Sequence, residues 1–317
     1  MIADKIINGE RLNPDDDLGF LLESPLEELQ AGAALIQKNF CGNHIDLCTI
    51  INGKSGRCGE DCKYCAQSAR HKTGIDEYDF LPTEKILKVA LANEKAGANR
   101  FSIVTSGRAL DGKNFERAIE TYKALRSKLK IEVCASHGIL SFEQLQRLKA
   151  AGVNRYHHNL ETSRRYFPQI CTTHTFDERI KTIKLAQEAG LEVCSGGIIG
   201  MGETWQDRID LAFEVAALGI KSIPINILTA IKGTPLENLK ILAPEEILRT
   251  IAIFRYINPT ANVRFAAGRK FLPDKGASAF LHGASAAITG NMLTTPNNNV
   301  QSDLKLLAEL GLTNKEE

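Results

Sequence analysis

Three cysteines lie within one short stretch of the sequence, at a spacing suited to metal chemistry. The stretch is Cys58-Gly-Glu-Asp-Cys62-Lys-Tyr-Cys65, with Tyr64 directly before the last cysteine. Three thiolates spaced in this way can bind one face of a cubane iron-sulfur cluster and leave the fourth iron without a protein ligand. Because an iron with an open position can bind a substrate, the motif predicts a catalytic 4Fe-4S centre held by Cys58, Cys62 and Cys65.

Zinc is the alternative metal for such a group of thiols. A structural zinc site or a ferredoxin-like cluster normally needs a fourth protein ligand nearby. His71 is the only close residue of a suitable type. The motif therefore favours the open iron-sulfur site, and a non-catalytic zinc or iron-sulfur protein remains as the rival class.

The scaffold is predicted from alternating helical and strand patterns. Amphipathic runs end at a small residue followed by glycine, as at Ala96-Gly97, because glycine adopts the left-handed conformation that ends a helix. Thr83 and Ser141, the latter with Gln144, are predicted helix caps. Between the helices lie short β-branched or aromatic runs that predict eight strands: 45–51, 100–105, 130–135, 153–158, 191–196, 221–226, 262–267 and 286–292.

This alternation predicts an α/β protein of the (β/α)8 TIM-barrel type. Residues 1–40 are expected to form a helical extension outside the barrel, and residues 41–317 the barrel with a C-terminal closing segment that contains a helix over 302–310. Active sites of such barrels lie at the carboxyl ends of the strands. The cysteine motif follows the first predicted strand and is expected at that end.

The composition is that of an ordinary soluble globular protein. The chain is 43% hydrophobic and 24% charged, with a formal net charge of +1, which gives no indication of a nucleic-acid or membrane partner. The N-terminus has no signal-peptide pattern, and the eight cysteines favour metal or catalytic thiols over disulfides. A cytoplasmic enzyme is the expectation.

Several further stretches accompany the cysteine motif along the chain. They are KYCAQSAR at 63–70, HNLET at 158–162, VCSGGI at 193–198, IN at 225–226, KGTP at 232–235, VR at 263–264, GR at 268–269 and LTTPN at 293–297. Taken together and in this order, they resemble the biotin synthase family of the radical S-adenosylmethionine (SAM) superfamily. In that superfamily the open iron chelates SAM, and an electron from the cluster splits the sulfonium to give a 5'-deoxyadenosyl radical. The resemblance implies a sulfurtransferase that inserts sulfur between C6 and C9 of dethiobiotin.

The resemblance also assigns residues to the SAM site. Asn159 and Glu161, two apart on the end of the fourth strand, are predicted to point the same way. They match the pair that binds the ribose hydroxyls, with Glu161 where the family more often has Asp. Arg179 matches the residue that pairs with the SAM carboxylate. The glycine-rich turn at 196–203 matches the segment whose backbone approaches SAM closely. Three further SAM contacts are assigned to Tyr64, Gly197 and Ile198.

Two residues are assigned by the same resemblance to dethiobiotin. Asn226, on the sixth strand, matches a residue that hydrogen-bonds the ureido ring, because a side-chain amide offers both a donor and an acceptor to a cyclic urea. His157 stands where the family has Asn. We assign His157 and Asn159 to the substrate site with Asn226.

Biotin synthases carry an auxiliary cluster deeper in the barrel, and its sulfide becomes the sulfur of biotin. The familiar form is a 2Fe-2S cluster held by an arginine and by cysteines on the second, third and fifth strands. Cys134, Cys194 and Arg264 match that set, but Ser102 stands at the second-strand position. Cys48 on the first strand is the predicted replacement, because alternate strands contribute to one interior layer of a barrel.

The changed ligand set leaves the form of the auxiliary cluster open. Three cysteines suit a 2Fe-2S cluster and also a 4Fe cluster with an extra sulfide, formally 4Fe-5S. The alternative for Cys48 is a buried small hydrophobic residue. Cys41 and Cys171 lie off the predicted layer and are expected to have no role, although Cys41 is close enough in sequence to be a reserve ligand.

The family also predicts partners. A reducing flavodoxin or ferredoxin system is the expected electron donor, and a homodimer is the expected assembly. The rival within the enzymes is another radical SAM barrel, related to a hydrogenase maturase or a methylornithine synthase.

Overall fold

The predicted strands form a parallel barrel. The computed structural model describes residues 1–290, 293 and 298–315. Every pairing between the named strands is parallel. The strands are β1 Asp46–Lys54, β2 Arg100–Thr105, β3 Glu132–Ser136, β4 Arg155–His157, β5 Glu192–Cys194, β6 Gly197–Ile199, β7 Ser222–Ile227, β8 Asn262–Phe265 and β9 Ala286–Thr289.

The barrel closes through the fifth predicted strand, which is divided into β5 and β6. The sheet order is β5-β4-β3-β2-β1-β9-β8-β7-β6, with an additional pairing of β5 with β7. Cys194 of β5 pairs with Ser222 of β7, and Ile198 of β6 pairs with Asn226 of the same strand. Since β5 and β6 share one position in the barrel, the predicted (β/α)8 architecture is confirmed.

Glycine permits this break in the fifth strand. A Cβ atom at Gly196 would lie 2.0 Å from the carbonyl oxygen of Pro224. No side chain fits at that distance, so the close approach of the two backbones requires glycine.

Most predicted strand boundaries are close to those observed. The prediction for β2 is confirmed at both ends, whereas β1 continues to Lys54, past the predicted end at residue 51. The predicted end of the last strand, at residue 292, lies outside the described residues. Residues 294–297 of the LTTPN segment also lie outside them.

Helices follow the strands around the outside. Ser141 caps α6 as predicted, because its hydroxyl accepts the Gln144 N–H and the Gln144 side chain accepts the Ser141 N–H. The cap predicted at Thr83 is wrong: Thr83 is the first residue of α4, and its hydroxyl lies 2.8 Å from that of Thr121. The helices are α1 Ile2–Ile7, α2 Phe20–Glu23, α3 Leu26–Cys41, α4 Thr83–Ala96, α5 Gly112–Lys128, α6 Phe142–Ala150, α7 Phe167–Ile170, α8 Phe176–Glu188, α9 Trp205–Ala217, α10 Pro244–Ile257, α11 Ala277–Leu281 and α12 Val300–Glu309.

Both ends of the chain pack against the barrel. Helix α3 packs on α10, and Gln37 Nε2 donates to the carbonyls of Phe280 and Ala284 at 2.9 and 3.0 Å. The closing helix α12 is attached by a buried ion pair in which Arg269 Nη1 lies 2.8 Å from Asp303 Oδ2. The domain boundary proposed at residue 40 stays a prediction.

None of the helices over the described ranges combines the length and the apolar character needed to cross a membrane.

Candidate active site

One cavity lies inside the barrel, beneath the loops that follow the strands. Its volume is about 410 Å³. Because barrel active sites are built at the carboxyl ends of strands, this cavity is the candidate active site. Six of the eight cysteines line it: Cys48, Cys58, Cys62, Cys65, Cys134 and Cys194.

The motif cysteines Cys58, Cys62 and Cys65 lie in the loop that follows β1. Backbone hydrogen bonds shape this loop, since the Cys58 N–H donates to Gln67 and the Cys65 N–H donates to Cys62 at 2.9 Å. All three thiols are free, and burial raises the pKa of Cys65 to about 11. A bound cation is therefore needed to hold Cys65 as a thiolate. Three soft sulfur donors facing one cavity fit an iron-sulfur cluster.

Cys171 also lies beside this loop, and the expectation that it has no role stays a prediction. Its Sγ lies 3.7 Å from Cys62 Sγ and 3.3 Å from His174 Nδ1. The segment after α7 folds over the cysteine loop, because the Asp61 carboxylate accepts the Thr172 N–H at 2.9 Å. One feature of the sequence could have indicated that Cys171 lies near a metal site. Two residues separate Cys171 from His174, and this spacing suits a pair of metal ligands.

The residues assigned to the SAM ribose and carboxylate lie together. Arg179 Nη1 donates to the Asn159 carbonyl at 2.8 Å and lies 3.5 Å from Glu161 Oε1. Asn159 Nδ2 donates to Glu161 Oε2 at 3.2 Å. Both residues lie beyond the end of β4, and Glu161 has a φ of +73°. The polar side chains therefore meet because the backbone turns here, not because they share one face of a strand.

The glycine-rich turn serves the packing of the barrel. A Cβ at Gly197 would lie 2.4 Å from the Glu161 carbonyl oxygen. Gly197 is thus required for the contact between β6 and the segment after β4. Tyr64 and Ile198, which are assigned to SAM together with Gly197, both line the cavity.

Cys48, Cys134 and Cys194 line the same cavity from β1, β3 and β5. The interaction of the two neighbouring thiols lowers the pKa of Cys48 and raises that of Cys134, and the Cys48 thiol donates to the Thr49 carbonyl at 3.6 Å. Burial alone would raise the pKa of Cys194, but the hydrogen bond and charge of His157 and the charge of Arg264 lower it to about 6. The structure thus brings together the three cysteines that the sequence assigns to a second cluster.

Ser102 also lines this cavity, on the strand next to β3. It is in register with Cys134. A cysteine at position 102 would face the same cavity as Cys48. A cysteine on the first strand and one on the second strand can therefore be alternative ligands of a cluster in this cavity.

Arg264 is held as a cation at the base of the cavity. Nη1 donates to the carbonyls of Asp46 and Ala287 at 3.1 and 2.9 Å, and Nη2 donates to Asp46 Oδ1 at 3.0 Å. Burial would raise the pKa of Asp46, but Arg264 and Arg100 hold it well below its ordinary range. A charged guanidinium has no lone pair to offer iron. The assignment of Arg264 as a cluster ligand stays a prediction.

The residues assigned to dethiobiotin also line the cavity. Asn226 Nδ2 donates to the Gly197 carbonyl at 3.1 Å, and its Oδ1 accepts the Ala267 N–H at 3.2 Å. Burial would lower the pKa of His157, but its interaction with Cys194 raises it. These bonds orient the Asn226 amide and leave it one N–H and one lone pair for a ligand.

Comparison with known proteins defines first the class of enzyme. Residues 54–215 match the family model for the radical SAM superfamily, and residues 224–313 match the biotin and thiamin synthesis associated domain. Among solved structures, methylornithine synthase superposes with a TM-score of 0.86 at 20% identity, over 100% of this chain and 98% of that one. The FeFe-hydrogenase maturase from Carboxydothermus hydrogenoformans superposes with a TM-score of 0.82 at 17% identity, over 98% and 78%. The fold and the cysteine loop are those of a radical SAM enzyme.

Curated relatives define the family more narrowly. Biotin synthase of Clostridium beijerinckii is 57% identical, over 98% of this chain and 99% of its own. Biotin synthase of Clostridium perfringens (strain 13 / Type A) is 59% identical, over 98% and 97%. That of Akkermansia muciniphila is 53% identical, over 93% and 92%. The chain belongs to the biotin synthase family.

Proposed function

We propose that this chain catalyses the SAM-dependent insertion of sulfur between C6 and C9 of dethiobiotin to give biotin. Membership of the biotin synthase family supports this reaction. The observation that carries it is the single cavity lined by both the motif cysteines and the three strand cysteines. A substrate held between the two sets of thiols is within reach of both.

The motif cysteines Cys58, Cys62 and Cys65 would hold a 4Fe-4S cluster with one iron free for SAM. When bound, this cluster and SAM supply the one-electron chemistry that removes hydrogen from an unactivated carbon. The chain binds and orients the reactants and keeps water out of the barrel.

Arg179 is proposed to bind the SAM carboxylate. Its Nε and Nη1 are occupied by His174 and Asn159, at 3.0 and 2.8 Å, so Nη2 is the group left for the anion among the described contacts. A guanidinium held in this way recognises a carboxylate with little loss of side-chain freedom. Asn159 and Glu161 are proposed to bind the ribose hydroxyls, with Tyr64, Gly197 and Ile198 completing the SAM site.

Asn226, His157 and Asn159 are proposed to contact dethiobiotin. The Asn226 amide is already oriented by two backbone groups. It therefore presents its remaining donor and acceptor to the cyclic urea without reorganising.

Cys48, Cys134 and Cys194 are proposed to hold the auxiliary cluster that donates sulfur. Because Arg264 is ion-paired with Asp46, we propose that it is not a ligand and that three thiolates hold the cluster. Arg264 would then be a neighbouring cation that offsets the negative charge of the cluster. Three thiolates suit the 4Fe-5S form better than the familiar 2Fe-2S form with an arginine ligand.

An anaerobic turnover assay tests the reaction. Reconstituted protein is incubated with dethiobiotin, SAM and dithionite, and biotin is measured by mass spectrometry. Biotin is expected from the wild type and from a Cys41→Ala control, and none from Cys62→Ala. SAM cleavage without biotin would indicate another radical SAM reaction, and no SAM cleavage would indicate a non-catalytic metal protein.

Mössbauer spectroscopy with iron and sulfide analysis tests the auxiliary ligands. Cys48→Ala is expected to lose the auxiliary cluster and keep the SAM cluster, whereas Ser102→Ala keeps both. An intact auxiliary cluster in Cys48→Ala contradicts the ligand assignment.

The family supports two further proposals about partners. A flavodoxin or ferredoxin system would supply electrons in the cytoplasm, and the chain would act as a homodimer. Light scattering of the purified holoenzyme measures the assembly.

A further inference from the structure

Arg155 lies in the cavity with the strand cysteines and has no part in the function proposed above. It is the first residue of β4, its side chain is 8% exposed, and it lines the cavity. We propose that Arg155 donates from Nη1 to a sulfur of the auxiliary cluster and raises the reduction potential of that cluster. The inference rests on the proposed function in one respect, that Cys134 and Cys194 are ligands of this cluster.

The strand register places Arg155 beside these two cysteines. Cys134 of β3 is in register with Arg155, and paired strands lie about 4.8 Å apart. Cys194 of β5 is in register with His157, which is two residues further along β4 and therefore on the same face as Arg155. All four residues line the cavity. The side chain of Arg155 thus enters the cavity next to both thiols.

One edge of the Arg155 guanidinium is anchored, and one nitrogen is left over. Nε and Nη2 both donate to Glu192 Oε2, at 3.0 and 2.6 Å. Arg155 and Glu192 are the first residues of β4 and β5, so this anchor lies at the amino ends of the strands, at the base of the cavity. Among the contacts of the described residues none involves Nη1, and its N–H groups are available to an acceptor in the cavity.

The positive charge of Arg155 is not balanced inside the barrel. The side chain of its partner Glu192 is 59% exposed, so water and salt screen that carboxylate. Arg264, by contrast, is paired with Asp46, whose side chain is 4% exposed. Burying a charge is costly unless a counter-charge accompanies it. Arg155 therefore favours an anion in the cavity.

An iron-sulfur cluster held by three thiolates provides that anion, because each thiolate and each sulfide adds negative charge. Net charge and hydrogen bonds to the sulfurs help to set the reduction potential of a cluster. The reduced cluster carries one more negative charge, so a guanidinium stabilises it more than the oxidised cluster. Removing this charged donor is expected to lower the ratio of reduced to oxidised cluster at a fixed potential by roughly tenfold.

An EPR-monitored redox titration of the reconstituted holoenzyme tests the proposal. The auxiliary cluster gives the signal that SAM does not change and that Cys134→Ala lacks. Arg155→Met is expected to titrate at a more negative potential, with tenfold corresponding to about 59 mV for one electron. Arg155→Lys keeps the charge and is expected to stay closer to wild type. Arg147→Met removes an exposed, ion-paired arginine and is the matched control, with the wild-type potential expected.

Two results of this titration overturn the inference. One is a wild-type or more positive potential in Arg155→Met. The other is an equal shift in Arg155→Met and Arg155→Lys, because the charge would then have no effect.

Glu192→Gln separates the effect of the charge from that of the ion pair. It breaks the same pair as Arg155→Met but leaves the guanidinium in place, so the auxiliary potential is expected to equal that of the wild type or to be more positive. A more negative potential in Glu192→Gln overturns the inference, even if Arg155→Met does not retain its clusters. Failure of the proposed function has a different signature, namely that the wild type itself lacks a signal that Cys134→Ala removes.

Discussion

Replacing Asp46 with asparagine removes the negative charge that faces two arginines at the base of the barrel. Asp46 Oδ1 lies 3.0 Å from Arg264 Nη2, and Oδ2 lies 2.6 Å from Arg100 Nε. The side chains of Asp46 and Arg264 are only 4% and 2% exposed, so water cannot replace the lost partner. Breaking a buried pair of this kind costs about 3–5 kcal/mol. We expect Asp46→Asn to lower the free energy of unfolding of the cluster-free protein by that amount at neutral pH.

The pH dependence of this loss provides a second readout. Against the effect of burial, Arg264 and Arg100 hold the pKa of Asp46 well below its ordinary value of 3.8. A carboxyl whose pKa is lower in the folded state stabilises the fold above its unfolded pKa, and it loses that contribution as the pH falls through the folded value. The difference between wild type and Asp46→Asn is therefore constant from about pH 7 to 5 and shrinks below about pH 4.

Urea unfolding followed by circular dichroism, with thiols kept reduced, measures both effects. Glu116→Gln is a matched control, because Glu116 forms an exposed ion pair with Arg147 at 2.6 Å and exposed pairs contribute little. A loss in Asp46→Asn no larger than in this control would refute the reasoning. So would a difference that stays constant down to the lowest pH at which the protein folds.

Three further substitutions test other parts of the barrel. Burial lowers the pKa of His137 to about 3. The contribution of His137 to the free energy of unfolding is therefore expected to fall by about 2 kcal/mol between pH 7 and 5, and urea titrations of His137→Gln are expected to lose that part of the pH dependence. Asp303→Asn removes the carboxylate that lies 2.8 Å from Arg269 Nη1 and leaves the buried arginine without its ion-pair partner. This substitution is expected to lower the thermal midpoint and to speed amide hydrogen exchange in α12. Gly196→Ala would place a Cβ 2.0 Å from the Pro224 carbonyl oxygen, and circular dichroism and soluble yield are expected to show loss of folding.

Each of these expectations has a contrary result. Equal pH slopes in wild type and His137→Gln would mean that this imidazole is protonated in the fold. Unchanged exchange in α12 would mean that the ion pair does not hold the helix. For the glycine, Gly59→Ala is the matched control, because Gly59 is not among the glycines with a positive φ and a Cβ there meets nothing within 4 Å. Equal folding of the two variants would contradict the packing argument.

The barrel and its cysteine loop could be predicted because their signals are local. The pattern over 100–105 coincides with β2, and the stop at Gly97 ends α4 with a φ of +100°. The period of the hydrophobic residues and the helix-capping residues depend only on positions close together in the sequence, so both can be recognised without the fold. The break between β5 and β6 could not be predicted in the same way, because it depends on the backbone of Pro224 across the sheet.

The sequence by itself determined the class of this protein, since the three motif cysteines occupy one short loop whose spacing alone predicts an open iron-sulfur site. Only the tertiary structure decided which other groups surround that loop. Cys171 and Cys62 are 109 positions apart, and Asp46 and Arg264 are 218 apart. Their contacts arise from the closure of the barrel and from the packing of one loop on another, which depend on the whole set of strand pairings and not on any local pattern.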